Sequence, residues 1–347
     1  MYLSANVGID LGTSSVLVYV KGKGIILREP SVIAVRKGEA GYDGDEILAV
    51  GEKALAMVGR EPKTIETIYP MSGGVISSYE YTEKMLRYFL QKSIGRPLIK
   101  PIVAVCIPCK ITEVERRAIM EACMDVGARS VQLIEEPVAA ALGAGIDIKK
   151  PSGSMIVDIG GGTTDIAVIS LGSIVRSDSV RIAGNVFDED IIRFVKKKYG
   201  LVIGRRTAEM IKIQVGMADP AQKTMMAMKV KGRAVNSGLP TMIEVTGEDV
   251  ADAVYESVEK LADAICTVLE NTPPELSADI TEHGIVMTGG GSLLTGLDRM
   301  ITARSHIKTF VADDALSCVA IGTGRFVDQL GSNPLNFRGQ ESKGGWT

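Results

Sequence analysis

The sequence predicts an α/β fold made of two similar α/β domains that face each other across a cleft, each with a smaller inserted subdomain. Three observations predict it. First, "VGIDLGTSSVLVYV" and "MIVDIGGGTTDIAVIS" share one plan: an apolar strand, a single Asp, a glycine–hydroxyl turn and a second apolar strand. Their aspartates, Asp10 and Asp158, lie 148 residues apart, and an internal repeat on that scale implies two like units. Second, "PIVAVCIP", a helical stretch, "SVQLIE" and another helical stretch follow the first copy in βαβα order. Third, 347 residues exceed what one core usually holds.

Each element has its own signal. "NVGIDLGTSSVLVYVKGKGIILREPSVIAV" reads as strand, turn, strand, turn, strand. "YTEKMLRYFLQKSI" sets Met85, Leu86, Phe89 and Leu90 on one helical face. Thr112 and Glu115 form a capping box that opens the next helix. "EEPVAAALGAGI" is a helix of small residues with Pro137 at its first position. "FDEDIIRFVKKKYG" and "TAEMIKIQVG" have helical period, and "MAMKVKGRAV" reads as strand. "GEDVADAVYESVEKLADAICTVLEN" carries an apolar stripe of Val254, Val258, Leu261, Ile265, Val268 and Leu269 and stops at Pro273-Pro274. "HGIVMTGGGSLLTGLDRMI" predicts a strand, a third glycine turn and a helix opened by that turn. Insertions are expected at roughly 33–66 and 181–248. The expected division is 1–144 plus 327–347 for the first domain and 145–326 for the second.

Composition narrows the function. A net charge of −3 argues against a nucleic-acid partner. The cysteine count is odd, with no disulfide pattern, which fits a reducing cytosol. Cys106 and Cys109 form a C-x-x-C pair without the other two ligands of a zinc site, and His283 and His306 are far off in sequence. A strand end followed by a turn at Pro108 explains that pair more simply. No apolar run approaches 18 residues, so no membrane span is expected, and Met1 to Asn6 is too short for a signal peptide before the first strand. The polar tail from Gly331 is expected to be loose.

The glycine turns carry the chemistry. Backbone N–H groups of a tight glycine turn form an anion-binding concavity, because no Cβ blocks approach. Thr13, Ser14, Ser15, Thr163 and Thr164 add hydroxyl donors, so two facing hairpins could grip a phosphate chain from both sides. Asp10 and Asp158 would repel that chain unless a cation lay between, and Mg²⁺, held by carboxylates, waters and phosphate oxygens, suits the place. The alternative is that each Asp caps its own turn. The third turn, Gly289-Gly290-Gly291-Ser292-Leu293, is expected to receive a nucleoside at a helix N-terminus. Neither G-x-G-x-x-G nor a Walker A sequence accounts for these turns.

"GIDLGTSS", "DIGGGTTD" and "TGGGSLLTGL" resemble the phosphate and adenosine motifs of the actin, heat-shock chaperone and sugar kinase superfamily. "IEEPVAAALGAG" and "CVAIGTGRF" resemble its two connecting helices. "VKGKGIILREPSVIAV", "LAVGEKALAMVGR" and "VRIAGNVFDEDII" resemble, more closely, the MreB/Mbl family of bacterial actins, from about residue 6 to 330. The resemblance implies an actin-like ATPase fold with ATP and Mg²⁺ in the cleft. It also implies weak hydrolysis coupled to homopolymeric filaments, and a role with cell-elongation membrane proteins in organising cell-wall synthesis and rod shape. Asp10 and Asp158 would coordinate Mg²⁺ through water. Gly12, Thr13, Ser14 and Ser15 would hold one side of the phosphates, and Gly160, Gly161, Gly162 and Thr163 the other. Glu136, with Thr163, would direct the attacking water. Gly184, Glu209, Lys212, Gly289, Gly290, Gly291, Ser292 and Leu293 would surround the rest of the nucleotide. Glu136 also lies at a helix N-terminus, which favours its ionised form.

The sequence departs from that family at "LGTSSV", at Asp165 where Glu is usual, at "YPMSGGVI" from Tyr69 to Ile76, and at Ala183-Gly184-Asn185. These departures imply altered nucleotide turnover. Leu98 and Ile99, between Arg96, Pro97, Lys100 and Pro101, form an apolar pair on a Pro-bounded cationic turn. Such a turn suits insertion at an anionic membrane, and the implied location is cytoplasmic, on the inner face of the cell membrane. The alternative functions are a chaperone-like ATPase or a small-molecule kinase of the same superfamily. The first would need a substrate domain beyond residue 330, and the second a base for an acceptor hydroxyl.

Overall fold

The structure is a computed structural model that describes residues 6–38, 45–95, 97–219, 221 and 226–332. Arg96 and the tail beyond Ser332 lie outside the described residues.

Two five-stranded sheets repeat one topology. In the first, Asn6–Leu11, Ser15–Val20 and Gly24–Pro30 form an antiparallel meander. Ile102–Ile107 then joins parallel to Asn6–Leu11, and Ser130–Glu135 adds on outside it. In the second, Ser154–Ile159, Thr164–Ser170 and Ser173–Val180 repeat the meander, and Ile285–Thr288 and Thr309–Val311 repeat the parallel pair. The inner strands are apolar on both faces because helices cover both sides, so "MIV" and "IAV" are buried without alternation.

Each sheet has its own core. Val7, Ile9, Val18, Phe89 and Val105 anchor one, and Val157, Ile166, Phe187, Leu261 and Met287 the other. The capping box at Thr112 forms as expected, and Thr246 with Asp249 builds a second one at the start of Gly247–Glu270. That long helix buries Val254, Val258, Leu261, Ile265 and Val268, while Leu269 is only partly buried. The proline pair after it does more than stop a helix. Pro274 opens the helix Pro274–His283, because its missing N–H costs nothing in a first turn.

A small antiparallel sheet of Ile33–Arg36, Glu46–Val50 and Ile65–Ile68 follows the first meander. Another, of Leu201–Val202, Ala227–Ala234 and Pro240–Thr246, follows the second. The two halves meet through helices Glu136–Gly143 and Cys318–Ser332. These cross at backbone contact. A Cβ on Gly143 would fall 1.8 Å from the Cys318 carbonyl oxygen, and one on Gly322 would fall 1.7 Å from that of Ala139. The small-residue composition of both helices is what permits that crossing.

Candidate functional site

The two hairpin turns face each other. A Cβ on Gly161 would lie 1.9 Å from Ser14 Oγ, and one on Gly162 would lie 2.6 Å from Thr13 Oγ1. The glycines are there because the opposite hairpin leaves no room for a side chain. Each turn is braced. Ser31 donates its hydroxyl to the Gly12 carbonyl at 2.6 Å. The N–H groups of Gly184 and Asn185, at the start of helix Gly184–Tyr199, donate to the carbonyls of Gly160 and Gly161 at 3.0 and 2.8 Å. The hydroxyl of Thr13 accepts the Gly74 N–H at 3.0 Å. The divergent "YPMSGGVI" stretch thus reaches the cleft itself.

Between the hairpins lies a cavity of about 910 Å³. Asp10, Gly12, Thr13, Ser14, Ser15, Glu136, Asp158, Gly160, Gly161, Gly162, Thr163, Gly184, Glu209, Lys212, Gly289, Gly290, Gly291 and Leu293 all line it. Ser292 does not belong to that lining. It is 1% exposed and donates to the Gly289 carbonyl at 2.6 Å, so it closes its own turn. The third turn also differs from expectation. Gly290–Leu293 winds as one 3-10 turn, and the α-helix starts only at Leu297, so no α-helix N-terminus opens from the glycines. Gly289 adopts φ +78°, and a Cβ there would sit 2.3 Å from the Ile159 carbonyl, which requires glycine twice over.

The acidic side chains gather at the base of the cavity. Asp158 is 5% exposed and accepts the Thr288 hydroxyl at 2.6 Å. Asp10 accepts the Cys106 thiol at 3.4 Å. Burial pushes the Asp158 carboxyl up to about 7 and that of Asp10 to about 6, with Arg28 easing the latter. Burial, and then the neighbouring Asp165, Asp158 and Asp10, hold Glu136 far above the ordinary carboxylate range, so the ionised form expected from its place at a helix N-terminus is disfavoured instead. Desolvation disfavours the charged form of these groups, and a cation beside them would favour it. The donor set is hard oxygen, it opens on a cavity walled by backbone N–H groups, and Mg²⁺ fits it. Among the described residues no three acidic, His or Cys side chains are arranged to hold an ion by themselves, so phosphate and water would complete the shell.

Several contacts could not be anticipated. Asp165 is fully buried and accepts the Cys109 N–H at 2.9 Å, which joins the halves beside Glu136. An Asp inside an apolar strand was the available signal, the same one that marked Asp158. Lys212 is already engaged: it pairs with Asp188 at 2.8 Å and donates to the Gly184 carbonyl at 2.8 Å. Arg28 donates to Ser317 Oγ at 2.6 Å across the back of the cavity. Leu98 and Ile99 are 71% and 44% exposed on their loop, remote from the cavity lining.

Residues 4–333 match the family model described as MreB/Mbl protein. The chain is 48% identical over 330 residues to the cell shape-determining protein Mbl of Bacillus subtilis, covering 95% of this chain and 97% of that one. It is 46% identical over 329 residues to the cell shape-determining protein MreB of Escherichia coli, covering 94% of each. Among solved structures, MreB5 of Spiroplasma citri bound to AMPPNP superposes with a TM-score of 0.90 at 36% identity, over 96% of this chain and 99% of that one. Facing glycine hairpins, paired sheets of one topology and these likenesses converge: the chain belongs to the MreB/Mbl family of actin-like proteins.

Proposed function

We propose that this protein binds ATP with Mg²⁺ between its two halves, hydrolyses it weakly, and polymerises into membrane-apposed filaments that organise cell-wall synthesis and rod shape. The single observation that carries the reading is the convergence of three glycine turns and two aspartates, Asp158 buried and Asp10 half-buried, on one cavity. A volume near 910 Å³ is ample for a nucleotide.

In this reading Gly12–Ser15 and Gly160–Thr163 cradle the phosphates with backbone N–H groups and hydroxyls. Gly289, Gly290, Gly291 and Leu293 carry the nucleoside, with Glu209 on the facing helix Arg205–Val215. Asp10 and Asp158 hold Mg²⁺, which would neutralise the phosphates and the charge that develops on them. Glu136 orients the attacking water and Thr163 shares that task. Filament assembly is supported by membership of the MreB/Mbl family, whose members are named for determining cell shape. Membrane apposition rests on the exposed Leu98–Ile99 pair, since no helix among the described residues is long and apolar enough to cross a bilayer.

One assay tests the core of this. Purified protein is centrifuged with ATP, ADP or no nucleotide, with and without Mg²⁺, while phosphate release is followed. ATP- and Mg²⁺-dependent pelleting with slow phosphate release is expected. Tight ATP binding with no polymer, or transfer of phosphate to a small acceptor, would replace the filament with a kinase.

A further inference from the structure

The two aspartates stand in equivalent places, and so do their donors. Asp158 is paired with Thr288 in the register between Ser154–Ile159 and its parallel neighbour. In the other half that register ends at Ile9 and Val105, so the next residues, Asp10 and Cys106, correspond to Asp158 and Thr288. Each donor sits on the strand that continues the sheet beyond the hairpin, and each bonds the Oδ1 atom of its Asp. Both are interior: Thr288 is 0% and Cys106 is 2% exposed. The chemistry differs. Thr288 supplies an O–H at 2.6 Å, whereas Cys106 supplies an S–H at 3.4 Å, a weak donor. The C-x-x-C pair thereby finds an explanation: the Cys106 thiol donates to Asp10, and the Cys109 N–H to Asp165.

We propose that Cys106 and Thr288 are positioning residues that turn Asp10 and Asp158 toward the Mg²⁺ site, with Asp158 held firmly by a hydroxyl and Asp10 loosely by a thiol. This deepens the ATP–Mg²⁺ reading and rests on it. Outer donors to a ligating group fix its orientation, and their loss commonly costs 10–100-fold in metal affinity. The weaker thiol contact contributes less.

The test measures the affinity of the whole protein for a fluorescent mant-AMPPNP, with millimolar Mg²⁺ and with EDTA. Its readout is the ratio of the two dissociation constants. Thr288→Val is expected to shrink that ratio by about 10-fold or more, and Thr288→Ser to restore it. Cys106→Ala is expected to shrink it by only about 2- to 5-fold, since a thiol is the weaker donor, and Cys106→Ser to meet or exceed the parent. The serine variants separate hydrogen bonding from packing, because each keeps a donor while changing the volume. A Thr288→Val ratio equal to the parent's overturns the role of Thr288. A Cys106→Ser ratio as low as that of Cys106→Ala assigns Cys106 to packing and overturns its role. A parent protein whose affinity ignores Mg²⁺ overturns the metal reading itself, which the variants alone would not do.

Discussion

The two halves of the molecule share a sheet order, a hairpin and an aspartate at its base, yet they are not copies. In the second half, helix Pro274–His283 leads into the parallel strand Ile285–Thr288. In the first, an exposed loop carrying Leu98 and Ile99 leads into Ile102–Ile107. Asp158 is more deeply buried than Asp10 and has the stronger donor. The difference teaches where the repeat was under constraint. The hairpin and its aspartate are duplicated, because a phosphate chain gripped from both sides needs the same turn twice. Whatever faces outward was free to diverge.

The harshest way to break the comparison is to remove one aspartate at a time. Asp158→Ala is expected to bring Mg²⁺-dependent ATP hydrolysis to background, measured by phosphate release. Asp10→Ala should leave a small residual rate, because the firmly held Asp158 still faces the ion. Equal rates in the two variants would make the halves equivalent. Undiminished hydrolysis in Asp158→Ala would sink the metal assignment.

Glu136 lines the cavity beside the aspartates and, in the proposed mechanism, acts on the attacking water rather than on the bound nucleotide. Glu136→Ala is expected to slow hydrolysis by on the order of 10²-fold or more with nucleotide affinity nearly intact. Collapse of affinity instead would make Glu136 structural. An effect confined to Glu135→Ala would place the catalytic role one residue earlier.

The sequence made the hairpins legible because every requirement there is local: an apolar run, an Asp, glycines and hydroxyls within a few residues. The match of Cys106 to Thr288 was hidden, since it depends on the register of parallel strands nearly 100 or more residues from their partners. The bond from Cys109 to Asp165 was hidden because it crosses from the turn after one sheet to a strand of the other. The prolines marked the end of one helix as expected, but the same pair also begins another, as Pro274 does, and that second role was not read. The third glycine turn misled. Gly289 to Leu293 looked like a helix start, but the positive φ of both Gly289 and Gly296 confines Gly290–Leu293 to a single 3-10 turn.

Acidity sharpens the comparison more gently. A carboxyl raised to about 7 is neutral below that pH, so Asp158 loses its claim on a cation as pH falls through 7, and Asp10 as it falls through about 6. Mg²⁺-dependent nucleotide affinity should therefore weaken from pH 8 to 6, by up to about tenfold per unit once Asp158 is protonated. Asp158→Asn should abolish the upper step and Asp10→Asn the lower. Stability runs the other way. The folded protein holds these protons up to about 6 and 7, whereas the unfolded chain holds them only below 3.8. The nucleotide-free protein should then gain stability as pH falls from 8 toward 5. Thermal melts without Mg²⁺ check this: Asp158→Asn should melt higher than the parent at pH 8, and a lower melting temperature would contradict the burial cost.

The smallest effect per molecule belongs to the loop that only the first half carries. Burying Leu98 and Ile99 in lipid would yield roughly 2–4 kcal/mol per subunit. Immobilising a subunit on a surface costs a comparable amount, so a single molecule should bind lipid weakly. A filament repeats the contact along its length, and avidity turns weak contacts into firm attachment. Membrane binding should therefore depend on polymerisation. Lys100, exposed beside the pair, should make it stronger on anionic lipid and weaker in salt. Vesicle flotation measures this. Filaments of the Leu98→Ser, Ile99→Ser double variant should assemble normally and stay at the bottom of the gradient, while parent filaments rise with the liposomes. Double-variant filaments that still float would move the anchor elsewhere and leave the divergence of this loop without a membrane role.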